Sequence, residues 1–219
     1  MSTSKLRNER TLVLLKPDAV LRRQVSVEIL KSFLELENAK ILSFKHVHVP
    51  EQVAVSHYKE HEGKSFFPWL VKMITAPSGV IVLIMAGKDV VRRVRALVGP
   101  TYVEKAKLEA PASLRAMHGV VRGVNALHAS DSVESGMVES KIWMEAFGLK
   151  LNEEVAKKEI QDFIREWDGK FPNNSEKIQE LASRIRDLAN KLKGVLAEET
   201  SEPEGNVEVL VKIILGNLP

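Results

Sequence analysis

His128 sits among small residues in the stretch "NALHASDSVESG", Asn125 to Gly136, and is followed by serines and acids. Asp131 and Glu134 have the D-x-x-E spacing of a capping box, with Ser130 and Ser132 as alternative caps. They predict a helix from Asp131 to about Phe147. That explains the acids and serines and leaves the imidazole open, either packing before a helix or the centre of the stretch. A second group of residues suits phosphate, which needs donors and positive charge converging on one place. Lys16 leaves an apolar strand end, Arg92, Arg93 and Arg95 cluster on one helix, and Arg115 and Arg122 lie near a weaker strand. The chain has neither a G-x-x-x-x-G-K-[ST] loop nor a G-x-G-x-x-G turn. A phosphate site must therefore be assembled from side chains on separate elements.

Those elements can be read from apolar periodicity. Thr11–Leu15 has β character and meets the breaker Lys16-Pro17-Asp18. Residues 20–36 place Val20, Val27, Leu30 and Leu34 at helical spacing, and "AKILSFKHVHVP" alternates until Pro50. "GVIVLIMAG", Gly79–Gly87, is the most apolar strand candidate, and "KDVVRRVRALVG" reads as a short helix ended by Gly99. Residues 100–118 show little periodicity, and "GVVRGVNAL" is a weaker strand before His128. Strands and helices thus alternate along the chain, as in an α/β sandwich with helices packed on a sheet.

A boundary is expected at Leu149–Asn152. Beyond it, Val155, Ile160, Phe163, Ile164 and Trp167 form one helical stripe, and residues 169–174 a turn. Ile178, Leu181, Ile185, Leu188 and Leu192 recur with 3-4 spacing, a seam suited to helical hairpin packing. "AEETSEPEG", about 197–205, reads as a linker, and residues 206–216 fit a strand or a helix equally.

At 219 residues, 44% apolar and 28% charged, the chain can bury a sizeable core. No apolar run reaches the length of a membrane span. "MSTSKLRNER" lacks the apolar centre of a signal peptide, so an unexported, cytoplasmic protein is expected. The absence of cysteine excludes disulfides, thiolate metal sites and cysteine catalysis. Residues 1–150 hold 22 Lys/Arg against 15 Asp/Glu, and residues 151–219 hold 10 against 14. A basic N-terminal body suits an anionic ligand, nucleic acid or phosphates, or is simply a solvated surface leaning positive.

Taken together, "LVLLKPDAV", "HYKEHEGKSFF", "RALVGPT", "APASLR" and "NALHASDSVES" resemble the nucleoside diphosphate kinase family in order and spacing, over about residues 8–147. The resemblance implies an α/β (α+β) fold, a ferredoxin-like antiparallel sheet sandwich covered by helices. It places a kinase domain at 1–150 and leaves 151–219 as a mainly helical C-terminal extension. The implied reaction is a Mg²⁺-dependent ping-pong transfer of the γ-phosphate from a nucleoside triphosphate to a nucleoside diphosphate. His128 falls at the nucleophile position, where a neutral imidazole works well near physiological pH. Glu139, eleven residues on, matches the glutamate bonded to the other ring nitrogen, and Ser130 the serine that steadies it. Lys16, Arg95, Thr101 and Arg115 match phosphate and sugar-phosphate contacts, and Tyr58 a tyrosine near the transferred group. Asn125 matches the ribose contact and Phe66 the aromatic stacked on the base. Mg²⁺ would be held mainly by nucleotide phosphates and water, with no protein metal ligands.

Several letters depart from the family pattern. Ala129 replaces a glycine, which is harmless unless the backbone needs φ > 0. Arg122 stands where a valine faces the base, Met117 and His118 replace an acid-aromatic pair, and about three extra residues lie between Thr101 and Pro111. His46 and His48 share a strand face without a third ligand, and His57 and His61 receive no chemical role. A homo-oligomer, hexamer or tetramer, is expected, without a membrane partner. A nucleic-acid partner is left open, although no recognition helix or aromatic-basic strand motif supports one. The competing reading is a catalytically weak nucleotide- or nucleic-acid-binding regulatory module on the same fold.

Overall fold

A computed structural model of the chain describes residues 9–199 and 203–214. The N-terminal residues read as leader-free lie partly outside this range, as do part of the expected linker and residues 215 and 216 of the ambiguous segment. Two compact units are present, Met1–Ser175 and Glu176–Pro219.

The first unit is built on a four-stranded sheet of β1 (Glu9–Leu15), β2 (Ala39–Val47), β3 (Val80–Gly87) and β4 (Leu127–Ala129). The order is β2-β3-β1-β4, and every pair is antiparallel. β1 is a continuous apolar run because helices cover both faces of the sheet, so neither parity of side chain meets water. Val13, Leu15, Ile81, Leu83 and Met85 point into one core layer. There they meet α2 (Arg23–Leu34) and α5 (Val90–Val98). Leu12, Leu14, Val80, Val82 and Ile84 point the other way, into a second layer. This layer is closed by α3 (Glu51–His57), α4 (Phe67–Ile74) and α8 (Val133–Phe147). His128 is opposite Leu14 in the β1–β4 register and so shares this second face.

The segment expected to be a strand before His128 is a turn, and β4 begins at Leu127, so His128 is itself a strand residue. Pro17 ends β1 but also opens the one-turn helix α1 (Pro17–Val20), where its missing N–H costs nothing. Residues 100–118 contain the short helices α6 (Val103–Glu109) and α7 (Leu114–His118), too brief for a periodic signal. Helix α8 is capped by Ser132, whose hydroxyl accepts from Ser135 N at 3.0 Å, rather than by an Asp131–Glu134 box. Asp131 is drawn away by Arg95, with which it pairs at 2.7 Å.

Helix α9 (Glu153–Trp167) continues the first unit beyond the expected boundary. Asn152 caps it through Oδ1 to Val155 N, while its own N–H donates to Leu42 O at the bulge in β2. Ile160 of the predicted stripe is buried in the first core layer, with Phe163 and Ile164 packed beside it, whereas Val155 is exposed and its neighbour Ala156 takes the buried position. Helix α10 (Ser175–Glu198) begins at the unit boundary.

In the second unit α10 is followed by α11 (Glu204–Ile214), and Lys193 pairs with Glu204. Leu181, Ile185 and Leu188 of the 3-4 seam are exposed. The run from Asn206 is a helix through Ile214, burying Val207 and Val211 at i, i+4. Val207, Val209 and Val211 also fall at alternate positions, so the period fits a strand as well as a helix.

Candidate active site

Strand β4 carries His128 into the layer where α8 lies closest to β1. Gly136 permits that approach: a Cβ there would stand 2.2 Å from the carbonyl oxygen of Arg10. One turn further on, Glu139 Oε2 lies 2.9 Å from His128 Nε2. Ser130 donates to the same oxygen at 2.7 Å and accepts from Leu12 N at 3.1 Å. Burial opposes the charge on Glu139, but His128 beside it and the Ser130 hydroxyl hold its carboxyl below the usual range. An ionised carboxylate only accepts, so Nε2 carries the proton and Nδ1 keeps its lone pair. The backbone at Ala129 is ordinary strand, so the extra methyl is accommodated; the left-handed residue is Ala126, with φ 69°.

That turn is clamped from both sides. Lys16 N donates to Ala126 O at 2.8 Å, and Ala126 N donates to Asp18 Oδ2 at 3.0 Å. Lys16 Nζ reaches Asn125 Oδ1 at 2.8 Å and Gly123 O at 3.0 Å, and Asn125 Nδ2 donates to Thr101 O at 2.7 Å. Lys16, Asn125 and Thr101 are thereby joined. An ammonium has three donors, so one remains on Lys16 for a ligand. Burial pushes this ammonium down to about 8, Asp18 pulling it back up and Arg115 lowering it further.

Arg115 is buried and ties the end of α5 to the start of β4, donating to Gly99 O at 2.8 Å and Leu127 O at 2.9 Å. Its Nε is buried without a partner, an orphan donor of the kind that a bound anion satisfies. Burial, then the neighbouring Arg95, lowers the guanidinium to about 10. Arg95 also reaches Ala129 O at 3.4 Å. A cleft of about 720 Å³ beside these groups is lined by Arg95, Gly99, Pro100, Thr101, Tyr102 and Lys105, among others.

An aromatic series links the core to the surface. Trp143 meets His57, His57 meets both His128 and Tyr58, and Tyr58 meets His61, whose ring touches half-exposed Phe66. Phe66 is thus joined to the site through rings rather than by contact with His128. Burial and then Glu139 push the Tyr58 phenol up. Arg92 and Arg93 stay outside: Arg92 pairs with Asp89, and Arg93 bonds Lys88 O. Arg122 is exposed on the turn before Gly123. His57 and Asp18 are the residues that sequence reasoning passed over, although both lie inside quoted blocks, "HYKEHEGKSFF" and "LVLLKPDAV".

Among the described residues, only His57, His128 and Glu139 bring three metal-ligating atoms together, within 4.8 Å of one another. Two nitrogens and one oxygen suit a borderline metal rather than a hard cation. The His57 nitrogen nearest Trp143 is also already an acceptor, at 3.3 Å. The site therefore offers no cage of its own for a hard divalent ion.

The residue pattern of the nucleoside diphosphate kinase family matches residues 9–149. The chain belongs to the nucleoside diphosphate kinase family. Over 138 residues it is 46% identical to the "Nucleoside diphosphate kinase" of Chloroflexus aggregans, a match covering 63% of this chain and 87% of that protein. The crystal structure of the Aquifex aeolicus nucleoside diphosphate kinase superposes with a TM-score of 0.58 at 37% identity, covering 62% of this chain and 94% of that one. The apo enzyme of Encephalitozoon cuniculi gives 0.57 at 33%, covering 62% and 88%. As a nucleoside diphosphate kinase family member the chain is a phosphotransferase acting on nucleotides, a reaction that needs a divalent cation. This supports the enzyme over a regulatory module. Among the described residues, no helix is long and apolar enough to cross a membrane.

Proposed function

We propose that His128 is the nucleophile of this phosphotransferase and that its Nδ1 carries the phosphoryl group between two nucleotides. The observation that carries the reading is the 2.9 Å bond from His128 Nε2 to Glu139, which leaves Nδ1 free to attack. In the first half, the Nδ1 lone pair forms an N–P bond to the γ-phosphorus of a nucleoside triphosphate. The bond to the bridging oxygen breaks, its electrons stay on that oxygen, and the diphosphate departs. The ring gains positive charge, which the Glu139 carboxylate, anchored by Ser130, offsets. In the second half, a terminal oxygen of another diphosphate attacks phosphorus, and the N–P electrons return to Nδ1.

Charge neutralisation falls to Lys16, Arg95 and Arg115, with the spare Lys16 donor and the orphan Arg115 Nε supporting those roles. Tyr58 stands beside the transferred group, Thr101 and Asn125 hold sugar and phosphate, and Phe66 stacks on the base without selecting it. Mg²⁺ is the divalent cation of this reading, arriving with the nucleotide as part of the substrate. Residues 1–150 act as the kinase domain and 151–219 as an extension. Packing of α9 on the first unit supports an extension that begins as part of that body. The active form is a homo-oligomer, hexamer or tetramer, supported by exposed Leu108, Met137 and Val138. The cysteine-free composition accords with a cytoplasmic setting.

Initial rates measured while both nucleotides are varied test the two-half scheme. Parallel double-reciprocal lines are expected, and intersecting lines would contradict it.

A further inference from the structure

Beside the nucleophile lies a buried imidazole that the mechanism leaves unused. His57, at the end of α3, is 7% exposed, and its ring meets that of His128 edge to face, with centroids 4.5 Å apart at 81°. Trp143, fully buried on α8, points its indole N–H at His57 Nδ1 at 3.3 Å. An indole nitrogen only donates, so Nδ1 of His57 must be the acceptor and its single proton sits on Nε2. That Nε2–H is buried and has no hydrogen-bond partner. Such an unmet donor beside a nucleophile is costly and asks for a reason.

We propose that Trp143 and His57 form a positioning relay: the indole fixes the His57 tautomer, and the His57 ring holds the His128 imidazole in the plane where Nε2 meets Glu139. The proposal rests on His128 being the nucleophile. Three arrangements support it. First, Trp143 and Glu139 are one helical turn apart on α8, so the same helix sets the Glu139 carboxylate and the tautomer of the wall behind the nucleophile. Second, burial, reinforced by His128, keeps His57 neutral, pushed down to about 3. A neutral His57 does not compete as a cation for Glu139, whose carboxylate stays committed to His128 and Ser130. Third, the direction of the Trp143 bond argues against a metal in this cluster. A histidine ligating through Nε2 carries its proton on Nδ1, where it would face the indole N–H.

The relay differs from ordinary core packing in what it moves. A packing residue affects stability, whereas a positioning residue changes the reactive fraction of His128 and so the chemical step. Trp143→Phe keeps a ring and removes the donor. In the folded variant, His57 is expected to populate both tautomers by ¹⁵N NMR of the imidazoles. Single-turnover phosphorylation by Mg·ATP is expected to slow about tenfold, the lower end of what supporting hydrogen-bond partners cost. KM for the nucleoside diphosphate should stay within about twofold, as expected when ground-state binding is untouched. A wild-type phosphorylation rate with an unchanged His57 tautomer overturns the proposal. His57→Asn offers a second variant if Trp143→Phe does not fold. Its amide oxygen can still accept from Trp143, but no ring faces His128. A slowed phosphorylation step at unchanged KM supports the relay, and a wild-type rate overturns it. Wild-type protein is run in parallel: if it forms no phosphoenzyme, the nucleophile assignment fails and not the relay alone.

Discussion

His128 Nε2 lies 2.9 Å from Glu139 Oε2, and Ser130 donates to the same carboxylate oxygen at 2.7 Å. A strand residue, a loop residue and a residue two turns into the following helix thus converge on one atom. The geometry selects a tautomer, and the tautomer selects the nucleophilic nitrogen. Glu139→Ala removes that selection. Phosphorylation of His128 is expected to slow about 10–100-fold, as for other ligand-orienting partners, with KM little changed. Stopped-flow single turnovers would show it, and a rate within twofold of wild type would contradict the role.

Ser130→Ala tests the support beneath Glu139. The hydroxyl is the acceptor for Leu12 N at 3.1 Å in a fully buried position. Its loss strands a buried donor at a cost of about 1–3 kcal/mol, measurable by denaturant unfolding. A smaller decrease in rate should accompany it, because His128 still holds the carboxylate.

Lys16 supplies the pH dependence. Burial, against Asp18 and with Arg115, puts its ammonium at about 8 in the free protein. The group is charged below that value and neutral above it, so attraction for phosphate is present at neutral pH and lost as pH rises through 8. KM for the nucleoside triphosphate should climb on the alkaline side. Lys16→Met should raise KM at pH 7 and flatten that climb.

Gly136 tests how helix placement feeds the site. A Cβ 2.2 Å from Arg10 O forces α8 away from β1. Gly136→Ala is expected to cost about 1–3 kcal/mol as an overpacked contact. Activity should fall as well, because Glu139 rides on the same helix. Thermal unfolding and turnover of the purified variant would decide it.

Truncation separates the two candidate boundaries. Removing residues 176–219 leaves the first unit and both of its core layers intact. That protein should fold and phosphorylate His128. Removing 151–219 also strips Ala156 and Ile160 from the core, and one fully buried Ile is worth about 1.5–3 kcal/mol. The shorter protein should melt earlier. Equal melting temperatures would place the boundary near residue 150 instead.

Three strands were legible because each left a run of β-branched or apolar residues between breakers; β4, only Leu127–Ala129, left none, and the apolar segment before it is a turn. The His128–Glu139 pairing was legible because the eleven-residue spacing belongs to a recognisable block. Short elements were not: α6 and α7 each span fewer than two full turns, too few residues to display a period. The cap of α8 was ambiguous because four polar residues compete locally, and only the Arg95 ion pair settles where Asp131 goes. His57, given no chemical role from the sequence, meets Trp143 from 86 positions away, and no local pattern encodes that meeting. Arg92 and Arg93 illustrate the opposite case, a conspicuous charge cluster whose members bond their own helix start.

If His128 itself carries the phosphoryl group, incubation of the full chain with γ-labelled ATP and Mg²⁺ labels that residue. Wild-type protein is expected to take up an acid-labile, base-stable label that discharges onto added nucleoside diphosphate and is absent from His128→Ala. An unlabelled wild type, or undiminished label in His128→Ala, would contradict it.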